Sequence, residues 1–416
     1  MNRAAFARLS PAAKLLVINQ FGINVGFYML MPFLASYMSD RLGYGAAVVG
    51  LVLGVRNLSQ QGMFLLGGTA ADRLGCRPMI IAGCALRIVS FGLFAVFTSL
   101  PGLFAAAILT GLAGALFNPA VRTYLMHESG ERRAEVFAVF NVFQHAGTLV
   151  GPLLGALLLT VDFRLIALVA CVAFAVLTAA QLFVLPHREV EKQQQSVLGS
   201  WREVVLNRRF VAFTLSLSAY FALYNQLYLT LPLEAQRVSG FSQSVAVVFG
   251  ISTLIGVFGQ VRITEWCRGR WSSGRSIVIG LCCMGGSFVP VSLAAPMLPE
   301  HAGPVVAFVP VVVATVLFTV GQAMTNPFAM ELLPQLGSER LTGTYYGFYY
   351  LVSSLAAAGV SWMAGALLDE FAAPAGRWVP WLALLLVGLA GAAGTAVMER
   401  RGSLAPARSE EQPATT

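Results

Sequence analysis

Charged residues are scarce in this sequence of 416 amino acids. They make up 11% of the chain, against 57% hydrophobic residues and a mean hydropathy of +0.73. Soluble proteins carry roughly 25% charged residues, and a chain with so few cannot cover a soluble surface with polar groups. The composition therefore predicts a membrane protein that crosses the bilayer several times.

Signatures of bound metals, nucleotides and disulfides are also missing. The six cysteines show no paired spacing of a zinc site or of an extracellular disulfide framework. The glycine-rich loop at residues 67–78 lacks the Gly-Lys-Ser ending that nucleotide binding needs. Because no catalytic constellation appears either, we expect no enzyme activity and no metal.

Long apolar runs are what the sequence does contain. Runs of about 20 residues, the length that crosses a bilayer, predict twelve spans at 15–38, 47–70, 78–98, 101–122, 136–159, 163–185, 210–233, 243–262, 275–295, 304–328, 343–366 and 379–398. The longest polar interval separates six spans from six. We predict an N-terminal half at 1–185, a cytoplasmic linker at 186–209, a C-terminal half at 210–398 and a disordered cytoplasmic tail at 399–416.

Short matches between the two halves recur at an offset of 208 residues. Asn118-Pro119 recurs as Asn326-Pro327, and Gly151 recurs as Gly359. A common register at half the chain length indicates parallel repeats. The predicted fold is therefore an all-α membrane protein with two pseudo-symmetric six-helix bundles.

The basic residues predict the orientation of the chain. With both termini inside, 20 lysines and arginines fall in cytoplasmic segments and 4 fall outside. This bias follows the positive-inside rule and explains the net charge of +8 without a nucleic-acid partner. The three remaining basic residues lie within predicted spans: Arg56, Arg87 and Arg122.

The loop at residues 67–78 packs glycines, one acid and two arginines between spans two and three. The residues that stand out are Gly68, Asp72, Arg73, Gly75 and Arg77. Their spacing resembles the loop signature of the major facilitator superfamily, although Cys76 stands where that signature has a basic residue. The resemblance implies that Asp72 locks the cytoplasmic side against span eleven, since an acid is favoured beside a helix N-terminus. The alternative is an ordinary short cytoplasmic loop.

Span five contains a stripe of small residues, formed by Gly147, Gly151, Pro152 and Gly155. We expect this stripe to pack closely against the glycines of span eight. Its order resembles the antiporter signature of drug exporters in the same superfamily, which favours export over uptake. Ordinary helix packing is the alternative. Further stretches, including Val49–Arg56, resemble the MdtH type of multidrug exporter in the drug:proton antiporter branch.

That resemblance implies a secondary active transporter that exports amphipathic small molecules by proton antiport and alternating access. It implies no cofactor besides the proton gradient, and we expect a monomer in contact with membrane lipid. The high ratio of arginine to lysine, with abundant alanine, suggests a GC-rich bacterial genome, so we expect the membrane to be a bacterial inner membrane. The alternatives are a metabolite uptake symporter or uniporter of the same fold, and a membrane sensor or enzyme that does not transport.

The chain departs from that exporter type in its acids. Asn19 and Asn118 stand where such exporters often carry carboxylates, and no carboxylate lies near the middle of a predicted span. The candidates for proton coupling are therefore His145, Glu234 and Glu331. A histidine can titrate near neutral pH, although a lone histidine in a helix is more often simply packed.

Arg56 and Arg87 lie well inside their spans, where a charge is costly unless it faces a polar cavity. Either they form a positive cavity wall, or they are structural arginines. The first interpretation predicts a neutral or anionic substrate. The candidate cavity residues are Asn19, Asn24, Arg56, Gln60, Arg87, Asn118, Tyr220, Tyr224, Asn225, Gln322 and Asn326.

Overall fold

The computed structural model describes residues 9–129, 133–186, 197–241, 243–297, 303–336 and 342–404. These residues are mostly helical, and none of them forms a β-strand. The first half contains α1 (Pro11–Ser36), α2 (Ala46–Gly62), α3 (Phe64–Leu74), α4 (Cys76–Val96), α5 (Leu100–Ser129), α6 (Arg133–Leu159) and α7 (Phe163–Val184).

A short helix, α8 (Val197–Leu206), precedes the second half. The second half contains α9 (Arg208–Tyr224), α10 (Thr230–Ser239), α11 (Ser244–Arg268), α12 (Ser273–Gly286), α13 (Val289–Met297), α14 (Pro304–Gln335), α15 (Thr342–Glu370) and α16 (Val379–Arg400). Of the predicted linker, residues 187–196 lie outside the described residues, and the polar composition did not predict α8. Most of the predicted tail, 405–416, also lies outside them.

Within the described ranges, ten helical segments are long and apolar enough to cross a membrane. One of these ten, Ser273–Ala295, comprises α12 and most of α13, and the two other passages are likewise each split into two helices. The second passage consists of α2 and α3, which meet at Met63, and the seventh consists of α9 and α10. Together they give the twelve passages that the sequence predicts, so the all-α fold is confirmed.

The break in the seventh passage is stabilised by side-chain amides. A 3-10 turn at Asn225–Leu227 interrupts the α-helical hydrogen bonding. Asn225 Nδ2 donates to the carbonyl oxygen of Phe221 at 2.8 Å, and Gln226 Nε2 donates to that of Ala222 at 3.0 Å. These bonds satisfy carbonyls at the end of α9 that would otherwise lie buried without a partner. The break therefore places polar groups in the middle of the bundle.

The two halves meet along α2 and α15, which pack at very short range. A methyl group added at Gly54 would lie 2.8 Å from Ala358 Cα, and one at Gly50 would lie 2.4 Å from the carbonyl oxygen of Ser361. Near the start of α2, a methyl group added at Gly365 would lie 2.2 Å from the carbonyl oxygen of Ala46. Glycine is therefore needed on both helices for this contact.

The glycine stripe of α6 packs against α1 of its own half. Methyl groups added at Gly151 and Gly155 would lie 2.7 Å from Tyr28 Cβ and 2.2 Å from the carbonyl oxygen of Met29. The predicted packing against the glycines of span eight is wrong here, because a methyl group at Gly250 or Gly256 would meet nothing within 4 Å. The glycines of α6 instead leave room for the backbone and side chains of α1, which pack directly against them.

Candidate functional site

A cavity of about 260 Å³ lies between the two halves at the middle of the bundle. The first half contributes amides, arginines and aromatic rings to its wall, and the second half contributes mainly aromatic residues. Its first-half residues include Gln20, Asn24, Phe27, Tyr28, Arg56, Asn57, Gln60, Phe64, Arg87, Asn118, Arg122 and Gln144. Its second-half residues are Phe221, Tyr224, Asn225, Tyr228 and Tyr350.

Seven of the candidate cavity residues line this space: Asn24, Arg56, Gln60, Arg87, Asn118, Tyr224 and Asn225. The other four do not. Asn19 and Tyr220 are buried in the helix packing, at 0% and 5% exposure, while Gln322 is half-buried and Asn326 is exposed. The prediction for these four is wrong because a polar residue in a span indicates a polar neighbourhood without indicating which one.

Arg56 is held by acceptors from its own helix. Its Nη1 donates to Asn57 Oδ1 at 2.7 Å, and its Nη2 donates to Gln60 Oε1. The guanidinium carbon also lies 4.7 Å from the centre of the Phe27 ring. Two amide acceptors and an aromatic face offset much of the cost of removing this charge from water.

Arg87 is more deeply buried and less well satisfied. Its side chain is 4% exposed, and no described residue accepts a hydrogen bond from its guanidinium. For Arg56, by contrast, only the Nε lacks a partner among the described residues. The guanidinium carbon lies 5.7 Å from the ring centre of Phe117 and 5.8 Å from that of Phe174. Cation–π contacts of this kind stabilise a desolvated charge by about 2 kcal/mol, whereas an arginine at the centre of a bilayer costs at least ~2.5–3.5 kcal/mol.

The cavity lining contains no aspartate or glutamate among the described residues, and its third arginine, Arg122, is exposed. The acids predicted for proton coupling lie elsewhere and are paired. Glu234 lies 2.5 Å from Arg237, and Glu331 lies 3.1 Å from Arg268. His145 is exposed on α6 and does not line the cavity. The cavity wall therefore carries positive charge without a compensating acid.

A chain of three tyrosine hydroxyls crosses the cavity from one half to the other. The Tyr228 hydroxyl donates to that of Tyr28 at 3.3 Å, and the hydroxyls of Tyr224 and Tyr228 lie 3.5 Å apart. Beside this chain, Asn57 Nδ2 of the first half donates to Asn225 Oδ1 of the second. Aromatic rings with polar tips suit ligands that are apolar at one end and polar at the other.

The α1 face of the cavity was not identified from the sequence beyond Asn24. Gln20 and Tyr28 lie one turn on either side of Asn24, so all three share a helix face. Gln20 Nε2 donates to Asn24 Oδ1 at 3.1 Å, and Asn24 Nδ2 donates to the carbonyl oxygen of Gln144 at 2.8 Å. The four-residue spacing was the signal that could have found Gln20 and Tyr28.

At the end of the bundle predicted to be extracellular, a carboxylate joins the two halves. Asp369, at the end of α15, accepts from the backbone amides of Ala46 at 2.7 Å and Ala47 at 2.9 Å, which begin α2. At the same end, Gln236 Nε2 donates to Asp40 Oδ2. An acid at a helix N-terminus is favourable, so these contacts close the cavity at this end.

The loop predicted to act as a gate lies at the opposite end. Helix α3 ends at Leu74 and α4 begins at Cys76, with Gly75 between them at a φ of +97° that favours glycine. Arg77 Nη2 donates to the carbonyl oxygen of Leu182 at 3.0 Å. The surroundings of Gly68 and the side chains of Asp72 and Arg73 lie outside the described residues, so their gating role stays a prediction.

The chain matches known proteins over nearly its whole length. The family model of the Major Facilitator Superfamily matches residues 16–361. An uncharacterized MFS-type transporter of Mycobacterium tuberculosis (strain ATCC 25618 / H37Rv) is 44% identical over 398 residues, which cover 94% of each chain. The multidrug resistance protein MdtH of Cronobacter sakazakii (strain ATCC BAA-894) is 30% identical over 378 residues, which cover 90% of each chain.

Solved structures of transporters share the fold at low sequence identity. The nucleoside transporter NupG superimposes with a TM-score of 0.80 at 16% identity, covering 93% of this chain and 99% of its own. A peptide transporter POT in complex with sulfate gives a TM-score of 0.81 at 14% identity, covering 97% of this chain and 99% of its own. At such identities the likeness extends to the fold alone.

Proposed function

This chain belongs to the major facilitator superfamily and is a multi-pass membrane transporter rather than an enzyme, and we propose that it exports amphipathic small molecules from a bacterial cytoplasm. Export would proceed by alternating access, with the two six-helix halves opening the central cavity to each side of the membrane in turn.

The observation that carries this proposal is the mixed lining of the cavity between the halves. The first-half wall supplies arginines and amides besides several aromatic rings, and the opposite wall supplies mainly the rings of Phe221, Tyr224, Tyr228 and Tyr350. A site of this kind holds a molecule by its apolar body while binding a polar group at one end. The absence of acids among the described lining residues also supports the prediction of neutral or anionic substrates.

Two features support export over uptake. Relatives at about 30% identity are named as multidrug resistance proteins and match over 90% of the chain. The stripe at Gly147, Gly151, Pro152 and Gly155 resembles the antiporter signature of drug exporters, and its glycines contact the cavity helix α1. The location we propose is a bacterial inner membrane, with both termini in the cytoplasm as the basic residues indicate.

The proton gradient is the proposed energy source, and no cofactor is required. The coupling candidates His145, Glu234 and Glu331 do not line the cavity. Protonation of these groups would therefore act on contacts between helices, such as the pair of Glu331 on α14 with Arg268 on α11, rather than by direct exchange with the substrate. We further propose that the protein works as a monomer among membrane lipids.

Transport into inside-out vesicles tests direction and energy source together. Vesicles containing the protein should accumulate fluorescent amphipathic probes when a proton gradient is imposed, and an uncoupler should abolish accumulation. Vesicles without the protein are the control. Accumulation only in right-side-out vesicles would instead show uptake, gradient-independent equilibration would show a uniporter, and binding without flux would show a sensor. Each of these three outcomes contradicts the proposal.

A further inference from the structure

The two deeply placed arginines of the cavity differ in what holds them. Both terminal nitrogens of Arg56 donate to side-chain amides of its own helix, those of Asn57 and Gln60. Arg87 lines the same cavity at 4% exposure, and no described residue accepts a hydrogen bond from its guanidinium. The Nε atoms of both arginines are buried without a partner among the described residues, so the two differ at their terminal nitrogens. Neither of the ion pairs described in the chain involves Arg87. Arg56 is thus bound by the protein, whereas Arg87 is available to a ligand.

The surroundings of Arg87 favour its charge but leave its donors unused. The rings of Phe117 and Phe174 lie 5.7 Å and 5.8 Å from its guanidinium carbon. An aromatic face attracts a cation electrostatically, but it cannot accept the hydrogen bonds that a guanidinium donates in its own plane. Because the described cavity lining contains no carboxylate, those bonds are left to whatever occupies the cavity.

We propose that Arg87 binds an oxyanion of the transported molecule, so that the substrates are amphipathic compounds with a carboxylate or phosphate group. A guanidinium presents parallel N–H donors that match the two oxygens of such a group. The inference rests on the proposed function only in taking the central cavity as the substrate site. Of the two arginines for which the sequence suggested a positive cavity wall, it assigns the binding of the anion to Arg87.

The rest of the cavity fits the other end of such a molecule. The hydroxyl chain and rings of Tyr28, Tyr224 and Tyr228 complete a space of about 260 Å³, which holds a two-ring aromatic body with one anionic substituent. The positive potential of three arginines in a low-dielectric wall attracts anions and repels simple cations. Charge and shape therefore select the same class of molecule.

A matched set of probes tests this assignment by binding, without any need for transport. The purified full-length protein would be titrated with 2-naphthoate and with 2-naphthamide, which have nearly the same shape and differ in charge. We expect 2-naphthoate to bind about tenfold more tightly or better, because only the carboxylate gains charge-assisted hydrogen bonds. A third titration with 2-naphthyl phosphate distinguishes carboxylate from phosphate as the preferred oxyanion.

Variants at the two arginines separate ligand binding from structural support. Arg87→Gln should remove the preference for 2-naphthoate over 2-naphthamide, and Arg87→Lys should keep part of it because the charge remains. Without ligand, Arg87→Gln should keep or raise the Tm, since a poorly satisfied buried charge is removed. Arg56→Gln should lower the Tm and weaken both probes alike, because Asn57 and Gln60 lose their donor.

The proposal and the export function can fail separately, because one is measured by binding and the other by flux. Equal affinity of the two naphthalenes, or no saturable binding of 2-naphthoate at millimolar concentration, would overturn the assignment even if export were observed. A preference for 2-naphthoate that survives Arg87→Gln would overturn it as well. So would a Tm that falls in Arg87→Gln as far as in Arg56→Gln, since that result identifies a structural arginine. The expected binding pattern in a protein that shows no export would support the anion site and contradict only the proposed function.

Discussion

The two halves of the molecule share a backbone plan but contribute different chemistry to the cavity. The first half supplies all three cavity arginines of the described lining, together with amides such as Gln20, Asn24 and Gln60. The second half supplies three tyrosines, Phe221 and Asn225, and no charged residue among those described. Both walls therefore offer aromatic rings to a ligand, but only the first-half wall also offers charged donors.

This difference shows what a repeated fold preserves and what it leaves free to change. The repeat fixes where helices run, because their packing depends on spacing and on small residues at contacts. The side chains that face the cavity make few of those contacts, so each wall can vary without loss of the fold. The two walls can bind one amphipathic molecule together only while the two halves keep their relative position. We therefore expect the largest effects from changes at the contact between the two halves.

Gly54→Leu should cause the largest loss, because it forces the two walls apart. A Cβ at this position already lies 2.8 Å from Ala358 Cα, so the rest of a leucine side chain has no room between α2 and α15. Overpacking costs ~1–3 kcal/mol, and a shift of that size in the balance of states corresponds to a loss of about tenfold or more in transport rate. Vesicle flux, normalised to protein amount, is the measurement.

The matched control for this change is Gly359→Leu on α15. A methyl group at Gly359 meets nothing within 4 Å, so leucine there should leave flux unchanged. If the two variants transport equally well, close contact between the halves is not what keeps the two walls in register.

Asp369→Ala should have the next largest effect, because it removes the cap by which the second half holds the first. The lost acceptor leaves the amides of Ala46 and Ala47 without their partner, and removing such a cap costs ~0.5–2 kcal/mol. The closed end should therefore open more often. Gln61 also lines the cavity. A cysteine introduced there, in a chain without its native cysteines, should react about two- to thirtyfold faster with a membrane-impermeant thiol reagent added at that side.

Asp162→Ala is the control for the change at Asp369. Asp162 caps α7 by accepting from the amide of Arg164 at 3.0 Å, a contact that stays within one half. Its removal should leave the reactivity of the introduced cysteine unchanged. Faster labelling in both variants would show general loosening of the bundle rather than release of a contact between halves.

The sequence was sufficient for the fold because hydrophobic run length and charge placement determine both spans and orientation in a membrane. It predicted all twelve passages, including those that are split at Met63, at Asn225–Leu227 and after Gly286. It did not predict those breaks or the helix α8. The break at Asn225–Leu227 depends on local hydrogen bonds, such as that of Asn225 to the carbonyl of Phe221, which composition does not reveal.

The candidate site was predictable in part, because polar residues in spans are costly and therefore informative. Seven candidates line the cavity, but Asn19 and Tyr220 lie buried in the packing. The difference in hydrogen bonding between Arg56 and Arg87 could not be predicted from the sequence. It depends on Asn57 and Gln60 accepting from the terminal nitrogens of Arg56, and on no described residue accepting from those of Arg87.

Tyr228→Phe should have the smallest effect and tests the division of labour between the walls. The change removes the hydroxyl that joins Tyr28 of the first half to Tyr224 of the second, while the ring remains. A hydrogen bond contributes ~0.5–1.5 kcal/mol net, so affinity should fall about two- to tenfold. The loss should be the same for 2-naphthoate and 2-naphthamide, because the second-half wall contacts the ring system that both probes share.

Tyr345→Phe is the control for this change. The Tyr345 hydroxyl does not line the cavity and accepts a hydrogen bond from Asn207 Nδ2 at 3.4 Å, so its loss should leave both affinities unchanged. A selective loss of 2-naphthoate binding in Tyr228→Phe would show that the second half also recognises the anion, and the two walls would then not be divided as proposed.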